Sequence, residues 1–374
     1  MPDLYRYLQE QKENILLDLE RVVKAESPTH DKASVDQCGA VFQSLFQKHL
    51  GLSAEVIPHA EVGNPLRFTY GEGSEQILVI GHMDTVWDIG RIGWRVEGGK
   101  AYGPGVLDMK GGIVQALWAV KACHDLGVSL GKKVVFLCTT DEELGSKKSR
   151  ALIEEEARKS AVVLVPEPAA AKSGAVKTSR KGTGGFTVSI TGKASHAGNH
   201  HEDGISAVQE MAHQILFLHS LTDYAKGTTL NVGVAQGGTR SNVVADHATL
   251  SIDLRVTSKE EGERITQAIM ERKPHHPGIT LNVTGGLNRP PMVRTAQTEQ
   301  LFRLAAECAQ ELGFALQEEP AGGGSDGNFT SALGIPTLDG LGAVGEGPHA
   351  EYEHIQIDQL PVRAALFAKM LTRL

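Results

Sequence analysis

Apolar residues recur at helical spacing along Leu4–Lys24 and again along Lys32–His49, which predicts two amphipathic helices. Short apolar runs follow at Gln76–Ile80, Val134–Cys138 and Val162–Val165, each bounded by Gly, Asp or Pro. Helix-like stretches, Gly111–Leu126 and Lys147–Lys159, separate the runs. Continuous apolar runs alternating with helices are the signature of strands buried on both faces, so an α/β fold is expected, with a mostly parallel core sheet flanked by helices. Such sheets place their sites outside the carboxyl ends of the strands, so the polar residues just after each run are the ones to read.

The texture changes near Ser179–Gly185. Phe186–Ile190 and Thr249–Arg255 alternate apolar with polar residues, and helices are expected at about Gly204–Leu221 and Ser258–Arg272. Alternation predicts a sheet with one solvated face, here an α+β unit. After Pro290–Pro291 a helix (Thr298–Leu312), a Gly-rich turn, a strand (Ile335–Leu338) and a last helix (Ile357–Arg373) resume the first texture. The expected organisation is therefore a domain of residues 180–290 inserted into one built from 1–179 and 291–374.

Composition narrows the class. The chain has 374 residues, 37 Lys+Arg and 45 Asp+Glu, hence 37 − 45 = −8 formal charges, with 41% hydrophobic residues. These values suit a soluble globular protein. No apolar run reaches the ~20 residues of a membrane span, and the N-terminal stretch lacks the basic-then-apolar order of a signal peptide. The acidic balance without a basic block argues against nucleic acid as a partner. Four cysteines, Cys38, Cys123, Cys138 and Cys308, form no CxxC pair, so neither a disulfide framework nor a thiolate metal site is indicated, and a reducing cytoplasm fits.

The candidate chemistry lies where the runs end. His82 and Asp84 follow the first. Asp108 follows Ala101–Leu107, Glu142 and Glu143 follow the Val134 run, Glu167 follows Val162–Pro166, and His349 comes after Gly345-Glu-Gly-Pro348. Each feature alone has an ordinary explanation: a local hydrogen-bonded His–Asp pair, a solvated helix start, a surface histidine. Together they deliver carboxylates and imidazoles towards one edge, where unpaired buried charge costs several kcal/mol per group. A divalent ion resolves that conflict, and imidazole with carboxylate suits zinc, with cobalt or manganese as alternatives. His82, Asp108, Glu143, Glu167 and His349 are too many donors for one open tetrahedral site, which suggests two ions with Asp108 bridging, the arrangement of two-metal hydrolases. Asp84 is placed to accept the other ring N–H of His82. Glu142, beside a ligand, suits a general base that takes a proton from water and returns it to a leaving amine.

Gly81-His-Met-Asp-Thr-Val86, Gly103-Pro-Gly-Val-Leu-Asp-Met-Lys-Gly-Gly112 and Thr139-Thr-Asp-Glu-Glu-Leu-Gly145 resemble, in order and spacing, the three zinc motifs of the co-catalytic zinc peptidase and amidohydrolase family. That family includes glutamate carboxypeptidase, acetylornithine deacetylase, succinyl-diaminopimelate desuccinylase and aminoacylase. The resemblance implies two zinc ions per subunit, one held by His82, Asp108 and Glu167, the other by Asp108, Glu143 and His349, with Glu142 as the base. It also implies a cis bond at Asp108–Met109. The inserted domain becomes a lid and dimerisation domain, and His196 in Gly192-Lys-Ala-Ser-His-Ala-Gly198 reaches across a homodimer to the substrate's carbonyl oxygen. Asn242, Arg255 and Arg289 are implied substrate contacts, arginine being suited to grip a carboxylate with two hydrogen bonds. Without the resemblance, His196 reads as a turn histidine and Arg255 as a solvated edge-strand arginine.

Glu167 within Pro166-Glu-Pro168, Gly322-Gly-Gly-Ser-Asp326 and Arg180-Lys-Gly182 look most like glutamate carboxypeptidase-type members. His200-His201 departs from the usual spacer and could collect adventitious metal. The expected activity is hydrolysis of an amide bond next to a free carboxylate, in small peptides or N-acyl amino acids, by a zinc-bound hydroxide. Its rivals are a biosynthetic deacetylase or desuccinylase, and a non-catalytic metal- or peptide-binding module on the same fold.

Overall fold

A computed structural model describes residues 3–374. The chain divides into two compact units. The first comprises the described residues up to Ser179 together with Arg294–Ala321 and Ser325–Leu374, and the second comprises Arg180–Val293 with Gly322–Gly324.

The chain enters the first unit through helices α1 (Leu4–Glu10), α2 (Lys12–Lys24) and α3 (Lys32–Leu50). Strands β1 (Glu55–Val56), β2 (Leu66–Tyr70), β3 (Gln76–His82), β4 (Arg95–Glu97) and β5 (Lys100–Tyr102) follow. Next come α4 (Gly111–Asp125), β6 (Lys133–Thr139), α5 (Arg150–Arg158), β7 (Val162–Leu164) and β8 (Val176–Arg180). The second unit holds β9 (Gly182–Thr191), α6 (Ala207–Ser220), β10 (Thr229–Gly237), β11 (His247–Val256), α7 (Lys259–Met270) and β12 (Thr280–Arg289). Back in the first unit lie α8 (Ala296–Glu311), β13 (Glu318–Ala321), α9 (Gly327–Ala332), β14 (Thr337–Leu338), β15 (Gly345–Glu346), β16 (His354–Gln356) and α10 (Gln359–Arg373).

Among the described residues the first unit's main sheet has six strands in the order β1-β2-β6-β3-β7-β14. The four from β6 to β14 run parallel, while β1 and β2 close one edge antiparallel. Alternate residues of β3 and β6 enter opposite cores. Ile77, Val79, Val134 and Phe136 pack with α1 to α4 and α10, whereas Leu78, Ile80, Val135 and Leu137 pack with Ile153 of α5 and Phe329 of α9. This double burial explains why both strands are apolar throughout.

The first expected helix is two, broken at Gln11 (φ −93°, ψ 3°). Leu4, Leu8, Ile15 and Leu19 all enter one core on either side of the break, so the apolar spacing runs through it unmarked. A second, antiparallel sheet of short strands, in the order β15-β16-β5-β4, had no counterpart in the expectations, because strands of two or three residues carry no readable period.

The second unit is one antiparallel sheet in the order β10-β11-β9-β12. Phe186, Val188 and Ile190 of β9 and Leu250, Ile252 and Leu254 of β11 point to one face, covered by Ala207 and Leu218 of α6 and Ile265 and Ile269 of α7. The unit's helices begin on side-chain caps, Ser206 accepting from Gln209 N–H and Ser258 from Glu261 N–H. No helix among the described residues is long and apolar enough to cross a membrane.

Away from the sheet edge, Asp18 of α2 joins three helices of the first unit. Its buried carboxylate lies 2.6 Å from His49 Nε2 and accepts from Trp118 Nε1 at 3.2 Å. Burial would raise its pKa, but His49, Lys48 and Arg21 outweigh that and hold it below the ordinary carboxylate value. A lowered native pKa means stability that is fully present above the unfolded value of about 3.9 and is lost below it, as the pH falls through the lowered native pKa. Asp18→Asn is therefore expected to destabilise the protein by about 3 kcal/mol at pH 7. The gap to wild type should narrow below about pH 4, as read by thermal melts at the two pH values.

Candidate metal centre

Because β3, β6 and β7 are parallel, their carboxyl ends share one edge. His82 is the last residue of β3, Glu142 and Glu143 form a short turn just past β6, and Glu167 follows β7. Asp108 and His349 arrive differently. Asp108 sits in a kinked turn (Val106–Lys110) beyond β5, and His349, at φ 61°, lies in the connection between β15 and β16. Asp108 thus does not end a strand of the parallel series. The apolar run Ala101–Leu107 is interrupted by Gly103-Pro104-Gly105, and its first residues pair with β16 instead. The Asp108–Met109 peptide bond is cis.

The geometry centres on Asp108. His82 Nε2 lies 3.2 Å from Asp108 Oδ1 and 3.6 Å from Glu167 Oε1. His349 Nε2 lies 3.4 Å from Asp108 Oδ2 and 3.1 Å from Glu143 Oε2. One ligand atom from each of His82, Asp108 and Glu143 lies within 4.8 Å of the others. Glu143 Oε1 is buried with no hydrogen-bond partner. An orphaned buried carboxylate oxygen on a residue grouped with His82 and Asp108 fits a divalent cation, whose charge offsets the desolvation of the acids.

The electrostatics agree. Hydrogen bonds that His349 donates to Asp108 and Glu143, opposed by burial, raise its pKa to about 11. Burial disfavours charge on His82, but Asp108 and Asp84 overcome it and hold its pKa well above the ordinary value. Burial would raise Asp108, yet the two histidines drive it far below the usual carboxylate range. Glu143 goes the other way, raised by burial and by the Asp108 charge despite His349. Protons on the imidazoles thus neutralise the acids here, and a metal ion binding these donors would displace them.

Asp84 acts somewhat differently from its expected part. The His82 Nδ1 proton goes to the Asp84 backbone carbonyl at 2.9 Å, with the carboxylate at 3.5 Å. The carboxylate accepts instead from the Thr29 hydroxyl (2.8 Å) and from the backbone N–H groups of Glu142 (3.3 Å) and Glu143 (3.2 Å). Asp84 therefore orients the two glutamates as well as the histidine. Thr29 escaped the sequence reading because nothing in the sequence signals a contact across that much chain. Gly112 has a steric reason: a Cβ there would lie 1.8 Å from the Pro166 carbonyl, next to Glu167.

His196, Asn242, Arg255 and Arg289 all lie in the second unit. The structure brings the first two segments together, Ala197 N–H donating to the Asn242 carbonyl at 3.0 Å. His196 is exposed and its Nδ1 accepts the N–H groups of Gly198 (3.1 Å) and Asn199 (3.0 Å). Arg255 stands on β11, an interior strand rather than an edge, and makes two hydrogen bonds to Asp253, at 2.9 and 3.0 Å. Arg289 ends β12 and is buried. His200 lies 3.8 Å from Asp203, with both side chains exposed. Neither His200 nor His201 belongs to a group of three metal-capable side chains among the described residues.

Comparison with known proteins places these observations. The model of Peptidase family M20/M25/M40 matches residues 78–373. The chain is 31% identical to carboxypeptidase G2 of Pseudomonas sp. (strain RS-16), over 98% of this chain and 91% of that protein. It is 25% identical to the succinyl-diaminopimelate desuccinylase of Psychrobacter sp. (strain PRwf-1), over 81% and 80%. Among solved structures, an M20 family metallo-carboxypeptidase, Sso-CP2 of Sulfolobus solfataricus, shares the fold at a TM-score of 0.78 and 19% identity, over 96% of this chain and 98% of that one.

The contacts of Asp84 generate a test. Asp84→Ala frees the Thr29 hydroxyl and the glutamate turn, and is expected to weaken divalent-metal affinity by about 10–100-fold. Thr29→Val, which removes one of those contacts, should cost less, and metal analysis after dialysis against graded chelator reads both.

Proposed function

Because the chain belongs to Peptidase family M20/M25/M40, we propose that it is a two-metal hydrolase that cleaves an amide bond beside a free carboxylate. The observation that carries this reading is Asp108 with a histidine on each carboxylate oxygen, each histidine also facing a second acid. Two donor sets share that residue: His82, Asp108 and Glu167 in one, Asp108, Glu143 and His349 in the other. Zinc suits these donors, and when bound it supplies Lewis acidity that polarises the scissile carbonyl and acidifies water.

The rest falls to the chain's own groups. Glu142 is held beside Glu143 by its N–H bond to Asp84, and its carboxylate takes the proton of the attacking water and hands it to the leaving amine nitrogen. With Nδ1 of His196 accepting two backbone N–H groups, the neutral ring carries its proton on Nε2, suited to donate to a carbonyl oxygen. We assign that donation to a substrate held by a second copy, in a homodimer formed through the second unit acting as lid and dimerisation domain. β10 is an edge strand there, and Val234 on it and Leu216 on α6 are exposed. Asn242 and Arg289 are assigned to the substrate. Arg255, with Nε and Nη2 engaged by Asp253, retains Nη1 for it.

Likeness to carboxypeptidase G2 over almost the whole chain favours a carboxypeptidase, and the glutamate carboxypeptidase-type motifs around Glu167, Gly322-Gly-Gly-Ser-Asp326 and Arg180-Lys-Gly182 favour a glutamate on the C-terminal side. Likeness to a desuccinylase supports a second reading, a biosynthetic deacetylase or desuccinylase. N-acyl-glutamates, N-acetylornithine and N-succinyl-diaminopimelate, compared by kcat/KM on the zinc-loaded protein, separate the two. Glu142→Gln is expected to keep its metal and to lose about 10²–10⁴-fold in kcat. Unchanged turnover would remove Glu142 from the mechanism.

A further inference from the structure

Glu353 has no part in either donor set, and its carboxylate is almost wholly buried, at 1% exposure. A buried carboxylate is costly unless its lone pairs are used. Here both oxygens are used, and by one neighbourhood. Oε1 accepts the backbone N–H groups of Leu107 (3.0 Å) and Asp108 (3.1 Å). Oε2 accepts the N–H of Gly105 (3.2 Å) and the indole Nε1–H of Trp87 (2.8 Å). Two of the four donors belong to the turn that carries Asp108, and a third, Gly105, immediately precedes it.

The chain around Glu353 shows how it reaches that turn. It immediately precedes β16, whose His354 pairs with Tyr102 at the end of β5, and β5 leads into the Asp108 turn. It also closes the connection that carries His349. There Gly347, at φ 82°, lies so close to the Tyr352 ring that a Cβ would stand 2.7 Å from it. Trp87 belongs to the stretch that follows His82 and Asp84. One carboxylate therefore ties together the stretches bearing His82, Asp108 and His349.

We propose that Glu353 is a positioning residue for the metal site, holding the Asp108 backbone so that both carboxylate oxygens face their histidines at once. A shared ligand has two orientations to satisfy, and sub-ångström placement is what supporting contacts supply. Ionised glutamate is suited to this because it offers acceptors only. A glutamine of the same size offers a single acceptor oxygen and turns an NH₂ group towards N–H donors.

The proposal rests on the two-metal reading, and its test reads the metal rather than turnover alone. Apo-protein is titrated with Zn²⁺ against a competing chromophoric chelator, and with Co²⁺ for its visible spectrum, well below the melting temperature of each variant. Glu353→Gln is expected to bind Zn²⁺ about 10–100-fold more weakly and to change the Co²⁺ spectrum. Glu353→Asp keeps two acceptor oxygens on a shorter stem and should recover part of the affinity. Wild-type affinity and spectrum in the folded Glu353→Gln protein overturn the proposal, whatever happens to its melting temperature, since a purely structural role would lower only the latter. If Glu353→Gln does not fold, Trp87→Phe removes one donor and leaves the carboxylate. A loss of several-fold then supports the proposal, and unchanged affinity overturns it. A wild-type chain that takes up no Zn²⁺ overturns this proposal and the two-metal reading together. One that binds Zn²⁺ but cleaves none of the amide panel overturns the hydrolase reading alone.

Discussion

Carboxylates gather in a buried place only if positive charge holds them there. Asp108 states that constraint in its simplest form, with one imidazole on each oxygen and a further acid behind each imidazole. Removing any one charge would leave another desolvated and unpaired, at a cost of several kcal/mol. The opposite directions in which Asp108 and Glu143 are pushed, one far down and one up, show one cluster sharing too few positive charges. Divalent metal is the natural complement of such a set.

Two sheets of different character meet that constraint. The parallel sheet presents His82, the glutamate turn and Glu167 along one edge, with strands that have no freedom to slip because both faces are buried. The small antiparallel sheet brings Asp108 and His349 on turns, which need side-chain support because short strands hold little by themselves. Glu353 supplies that support to the Asp108 turn, and Asp84 does the same for the glutamate turn, each a buried carboxylate collecting backbone N–H groups from the segment it must orient. Glu353 takes its four donors from backbone and indole N–H groups, so it fixes backbone position without adding a competing cation to the site.

The second unit is organised on another principle. Its sheet buries one face and leaves the other to solvent, and its exposed histidine is oriented by its own backbone, not by packing.

Much of this was legible in the sequence. Long apolar runs report burial on two faces, so β3, β6 and the parallel core could be read, as could the residues placed just after them. The alternation in β9 and β11 likewise marked a half-solvated sheet. The family likeness carried by three motifs extended this to a metallohydrolase. What the tertiary structure alone decided is how Asp108 and His349 arrive. Their strands are too short to carry a period, and their pairing joins residues far apart in the chain. The same holds for Thr29 and Glu353, ordinary residues whose importance comes from which N–H or carboxylate they meet across the fold. Local pattern records whether a side chain meets water or core, whereas a hydrogen bond between distant segments leaves no local trace, and the support of this site is built from such bonds.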